Sequence, residues 1–131
     1  MTKATGEFEL ASWNEETYKT LGGDRKLTRA SVSQTFRGDV AGEGSVQWLM
    51  SYGDDGTAHF VGLQLVDGAV HDSKGTFVLE TTGDFDGKVA KWKATVVPGS
   101  GTGDLAGISG EGTFEAPMGS KAKFSLDLRM G

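Results

Sequence analysis

The sequence predicts an all-β fold, a single antiparallel barrel of about eight strands over residues 1–131. Three observations lead there. Apolar residues recur with a period of two, not of about 3.6, along most of the chain. Glycine is abundant, at 21 residues, with only two prolines beside it. Asp-Gly pairs, a strong hairpin signal, fall between the alternating runs at Asp54–Thr57, Val66–Val70 and Asp84–Val89. Many tight turns are the simplest reason for so much glycine.

The elements follow in order. The alternation begins weakly at Phe8 in FELASW. A short helical turn is expected in SWNEETYKTLGG, where Ser12 or Asn14 can cap and Glu15 and Glu16 suit the first turn. In SVSQTF, Val32, Gln34 and Phe36 share a face. In SVQWLMSY, Val46, Trp48, Met50 and Tyr52 oppose Ser45, Gln47, Leu49 and Ser51. HFVGLQLV and TFVLET are apolar on both faces. VAKWKATVV sets Ala90, Trp92, Ala94 and Val96 against Lys91, Lys93 and Thr95. AKFSLDLRM, the cleanest half-buried strand, sets Ala122, Phe124, Leu126, Leu128 and Met130 against Lys123, Ser125, Asp127 and Arg129. Strands in regular succession form a meander, and closing it removes exposed edges.

The stretch GSGTGDLAGISGEG, Gly99–Gly112, contains GTGDLA, a match to the dinucleotide fingerprint G-x-G-x-x-A. That fingerprint works only where a helix begins and points its N-terminus at the pyrophosphate. Gly107, Gly110 and Gly112 follow instead, each costing a helix about 1 kcal/mol relative to alanine. The glycines are read as corner residues at a barrel rim.

Charge and composition exclude several classes. A net charge of −5 with scattered Lys and Arg disfavours nucleic acid and anionic membranes. The absence of cysteine excludes disulfides, thiolate metal sites and a Cys nucleophile. The start, MTKATGEFEL, has no apolar signal region, and no stretch is long enough to be a membrane helix. A cytoplasmic location without a membrane partner is expected.

Three blocks, SWNEETY, Lys26–Leu63 and VVPGSGTGDLAGISGEGTFEA, resemble a family of small bacterial proteins catalogued as a domain of unknown function. The resemblance covers nearly the whole chain. That family is similar in fold to the allene oxide cyclase-like barrel, which dirigent proteins share. The resemblance implies eight antiparallel strands, a central cavity and frequent oligomers. It carries no accepted catalytic residues.

No metal site or cofactor is expected. His59 and His71 stand apart and no H-x-H or H-E-x-x-H pattern occurs. No G-x-S-x-G elbow is present. Glu80, Glu43 and Glu111 are candidate acids or bases if they face a dry interior, with Tyr52 or His59 to polarise a carbonyl. Otherwise they are solvated rim residues. Trp48, Met50, Tyr52, Trp92 and Phe36 are candidates to line a cavity for a small hydrophobic molecule, or to form plain core. Arg29 can meet a ligand carboxylate, or pair with Glu9, Glu43 or Glu80.

Three functions remain open: a small hydrophobic-ligand-binding barrel, a cofactor-independent cyclase or isomerase, and a structural protein with a filled barrel. The strands apolar on both faces, Phe60–Val66 and Phe77–Leu79, predict a homo-oligomer, a dimer or trimer.

Overall fold

The structure, a computed structural model, describes residues 2–119 and 121–130. Eight strands follow one another in chain order: β1 (Thr2–Gly22), β2 (Arg25–Gly38), β3 (Val40–Tyr52), β4 (Ala58–Val70), β5 (Ser73–Phe85), β6 (Val89–Val96), β7 (Ser109–Pro117) and β8 (Ala122–Arg129). All neighbours are antiparallel, and β1 pairs with β8 to close the barrel. Among the described residues no helix is long and apolar enough to cross a membrane.

The period-two faces point as the alternation requires. Val32, Gln34 and Phe36, Val46 to Met50, Trp92 to Val96, and Phe124 to Leu128 place their alternate residues in the buried interior. Met130 is the exception, lying exposed beyond the end of β8.

Two local expectations are corrected. SWNEETYKTLGG is not helical; it is the second half of β1. Register shifts fall between Leu10 and Ser12 and between Thr17 and Lys19. A bulge adds one residue and flips the side-chain parity beyond it. Leu10 therefore lies opposite inward Gln34, and after the bulge Trp13 lies opposite inward Val32 and Glu15 opposite inward Ala30. The second correction concerns Asp67-Gly68, which is no corner but lies within β4. Gly68 pairs with Gly42 and Gly75, and a Cβ on it would sit 2.2 Å from the Ala41 carbonyl oxygen. The chain reverses instead at His71, which takes the left-handed φ of 52°.

Turns also do not account for all the glycine. Inside the barrel, Trp48 lies across from Gly62 and Trp92 from Gly83. A Cβ at these glycines would fall 2.7 Å from the Trp48 ring and 2.4 Å from the Trp92 Cβ. The missing side chains make room for the indoles.

The interior is packed in layers. Its middle is an aromatic plug of Phe8, Phe36, Trp48, Phe60, Trp92, Phe114 and Phe124, with ring centroids 5.0–6.4 Å apart. Trp92 and Phe114 stack at 5.2 Å and 4°. One end is sealed by the glycine-rich segment between β6 and β7. It forms a single 3-10 turn at Gly103–Leu105, not a dinucleotide-binding helix, and tucks Leu105 and Ile108 into the core at 1% and 2% exposure.

Candidate functional site

The other end of the barrel is open. Its last interior layer runs Tyr52, Ala58, Phe85, Ala90 and Ala116 around β3 to β7. Three alanines there leave space above the aromatic plug. The space is a cavity of about 250 Å³ walled by Trp13, Trp48, Met50, Tyr52, Phe60, Phe85, Ala90 and Trp92, with Leu10 and Ala116 at its edge. Larger but more open concavities lie on the surface; one, between β1 and the β7–β8 corner, mixes apolar side chains with charged ones, and there Arg37 pairs with Glu9 and Lys121 with Glu7. Charges already answered by neighbours leave that groove little to offer a ligand, so the apolar cavity is the better candidate.

A polar brace stands behind two of the cavity walls. Glu15 Oε2 accepts from Thr28 Oγ1 at 2.6 Å and from Tyr52 Oη at 2.5 Å. Glu15 Oε1 accepts from Trp13 Nε1 at 3.0 Å. Lys26 Nζ lies 4.9 Å from the centre of the Tyr52 ring. Burial pushes the Glu15 carboxyl up, but the hydrogen bonds from Thr28, Tyr52 and Trp13 and the charge of Lys26 outweigh it and hold it below the usual range. Burial, the bond to Glu15 and the charge of Glu15 together push the Tyr52 phenol well above its ordinary value of 10.0. At neutral pH the brace is thus a carboxylate held by a protonated tyrosine. Neither group is poised to exchange a proton.

Of the residues expected from sequence, Trp48, Met50, Tyr52 and Trp92 converge on this cavity. Phe36 does not line it; it lies deeper, packed on Phe8 and Phe124. The candidate acids are corrected as a group. Glu80, Glu43 and Glu111 lie on exposed outward positions of β5, β3 and β7. His59 is exposed beside Asp84, with Nδ1 2.8 Å from its Oδ1. Arg29 is exposed and pairs at 2.7 Å with Glu16, not with Glu9, Glu43 or Glu80. An odd count of residues from the barrel interior put each of these outside. Trp13, Glu15 and Thr28 were not expected at the site. Opposite Ala30, beyond a bulge, a glutamate gives no periodic signal, so only the register could reveal it. Among the described residues no three His, Asp or Glu side chains gather as a metal site would require.

The comparisons with known proteins agree with this architecture. No curated protein matches the chain. A crystal structure of a protein of unknown function from the DUF3224 family of Shewanella oneidensis MR-1 superposes with a TM-score of 0.85. It is 28% identical, and the match covers 100% of this chain and 98% of that one. Residues 4–128, nearly the full barrel, match the DUF3224 family of proteins of unknown function, and the chain belongs to that family.

Proposed function

We propose that the protein binds a small, mainly apolar molecule at the open end of its barrel. One observation carries this reading: a 250 Å³ cavity walled by aromatic and methionine side chains, above a core that is otherwise filled. The filled core limits the ligand. The plug of Trp48, Phe60 and Trp92 blocks the barrel axis, so a long acyl chain has nowhere to extend. An apolar cavity of about 150 Å³ holds benzene, so this one suits a substituted ring. Binding would stabilise the fold by about 2.7 kcal/mol at a hundredfold excess over Kd. The test is a thermal-shift and tryptophan-fluorescence titration with ethylbenzene, acetophenone and laurate. Both ring compounds should raise Tm and perturb emission, and laurate should do neither. No response to any ring compound at millimolar concentration would defeat the reading.

A cofactor-independent cyclase or isomerase is the second reading, supported by the Glu15–Tyr52–Thr28 network at the cavity. With no group poised to exchange a proton, the rate would come from holding the reactive conformer. The binding role is favoured because Glu15 is a hydrogen-bonded anion and Tyr52 is held neutral.

Assembly as a homo-oligomer is part of the proposal. Leu49, Val61, Leu63 and Leu65 are 41–55% exposed on the outside of β3 and β4. Leu49 faces Val61 across the strands, and Leu65 faces half-buried Val78 on β5. The centre of this strip carries no charge, while Arg29 and Glu80 stand at its sides. An apolar centre with a charged rim is the pattern of a protein interface, and a second copy of the chain is the default occupant. Light scattering at micromolar concentration should show a dimer or trimer, and Leu63→Lys should reduce it to a monomer. A monomeric wild type would defeat this part.

A further inference from the structure

Two apolar surfaces stay bare on this barrel. One is the outer strip of Leu49, Val61, Leu63 and Leu65 on β3 and β4. The other is the half of β1 that pairs with β2 alone, where Leu10, Trp13, Tyr18 and Leu21 are 40–57% exposed. That half borders the cavity, because Leu10 and Trp13 belong to its wall. A ring-sized ligand fills the cavity but leaves Tyr18 bare, since among the described residues Tyr18 is not part of the wall. Contiguous apolar surface of this kind marks a contact.

Shape, length and charge pair the two surfaces with each other. The strip lies on the convex outside of the barrel, and two convex walls meet along little more than a line. The mouth is hollow, so it accepts a convex wall and gives the closer fit of an interface core. Val61 to Leu65 spans about 14 Å and Trp13 to Tyr18 about 17 Å, at a rise of ~3.4 Å per residue. Glu80 stands directly across from Leu63, and Lys19 follows Tyr18. Among the described residues neither of these opposite charges has an ion-pair partner. A strip packed on a second strip would leave β1 bare.

We propose that the β3–β4 strip of one copy roofs the cavity mouth of the next. Leu63 and its apolar neighbours lie over Trp13 and Tyr18, and Glu80 meets Lys19 at the rim, where an exposed pair sets register more than affinity. The ligand site is then completed by a second copy of the chain. A head-to-tail contact closes only as a ring, so of the dimer and the trimer it selects the trimer. This inference rests on assembly as a homo-oligomer, and it adds which surfaces meet and what their contact does.

The experiment is a complementation between two variants of the full-length protein, Leu63→Lys on the strip and Tyr18→Lys at the mouth, read by light scattering at micromolar concentration. Both positions are exposed, so neither substitution disturbs the core. Leu65→Lys replaces Leu63→Lys if that variant fails to fold. Each variant alone should be monomeric. Mixed in equal amounts they should form a dimer, because the strip of Tyr18→Lys and the mouth of Leu63→Lys are both intact. Leu63→Lys should also bind acetophenone about tenfold more weakly than the wild type, the effect of returning ~50 Å² of apolar surface to water. Leu63 is on the outer face of β4 and walls no part of its own cavity, so only a neighbour can transmit that loss. If Tyr18→Lys keeps the wild-type mass and the mixture yields no dimer, the strip packs on a second strip, which overturns the contact and leaves the oligomer intact. Unchanged acetophenone affinity in a monomeric Leu63→Lys would overturn the roof. A monomeric wild type would overturn the oligomer and this inference with it. If the wild type binds no ring compound, the cavity reading fails, and the masses alone decide the contact.

Discussion

The two ends of this barrel are finished in opposite ways. At one end the β6–β7 segment folds back and seats Leu105 and Ile108 at 1% and 2% exposure. At the other, the upper half of β1 pairs with β2 alone, because its pairing with β8 stops at Phe8. Its side chains Leu10 and Trp13 remain 49% and 44% exposed beside the cavity. Eight strands enclose an interior that side chains just fill. Sealing one end with aliphatic residues and leaving alanines at the other gives stability and access to different parts of one core.

Breaking the sealed end should have the largest effect. Leu105→Ala removes a fully buried side chain where the neighbouring backbone is fixed by the glycine contacts around Gly75 and Gly101. The site has little freedom to collapse. The expected loss is about 2–5 kcal/mol in denaturant unfolding, with ring-compound affinity unchanged. Trp13→Ala at the open end should do the reverse: a small change in stability and a clear loss of affinity. Equal effects of both variants on binding would mean the two ends are not separate in function.

The brace at the open end gives a smaller, spectroscopic signature. Tyr52 and Tyr18 are the chain's two tyrosines, so in Tyr18→Phe the phenolate absorbance reports Tyr52 alone. It should develop only well above pH 10.0, since burial and Glu15 raise the phenol. Glu15→Gln keeps a hydrogen-bond acceptor but removes the charge, and should bring the transition down. The linkage has two signs. Tyr52, raised in the folded state, adds stability that is complete below pH 10.0 and is lost as pH climbs through its folded value. Glu15, lowered in the folded state, adds stability present above the ordinary carboxylate value of 4.5 and lost as pH falls through its folded value. A phenol ionising near its usual pH in the folded protein would show that the brace is not formed.

The same contrast explains what the sequence revealed. The aromatic walls were legible: Trp48, Met50 and Tyr52 share one parity of β3, and Trp92 shares the inward parity of β6. Regular strands transmit that parity without error, so the barrel followed from the pattern. The brace was not legible, because the bulge near Ala11 resets the count and turns Trp13 and Glu15 inward. With the bulge unseen, Ser12 and Asn14 read as caps and Glu15 and Glu16 as a first helical turn, which is why the stretch read as a helix start. Asp67-Gly68 misled for a different reason. Its glycine is needed for the close approach of β3, not for a turn, and a dipeptide cannot tell those two demands apart.

The smallest effect should come from Glu80, the carboxylate most suspect on sequence grounds. It follows the buried Phe77 and Leu79 and stands between Leu63 and Thr95 across the strands. Its position is an odd number of residues from Leu79, so its side chain leaves the barrel. Glu80→Gln should therefore change stability by no more than about 0.5 kcal/mol and leave acetophenone affinity at its wild-type value. Glu15→Gln, made in parallel, should weaken that affinity, because Trp13 and Tyr52 lose the charge that holds them. The pair isolates orientation from composition, since both variants exchange the same carboxylate for the same amide in the same barrel. A loss of binding in Glu80→Gln with none in Glu15→Gln would place the ligand on the outer face and reverse the assignment of the two surfaces.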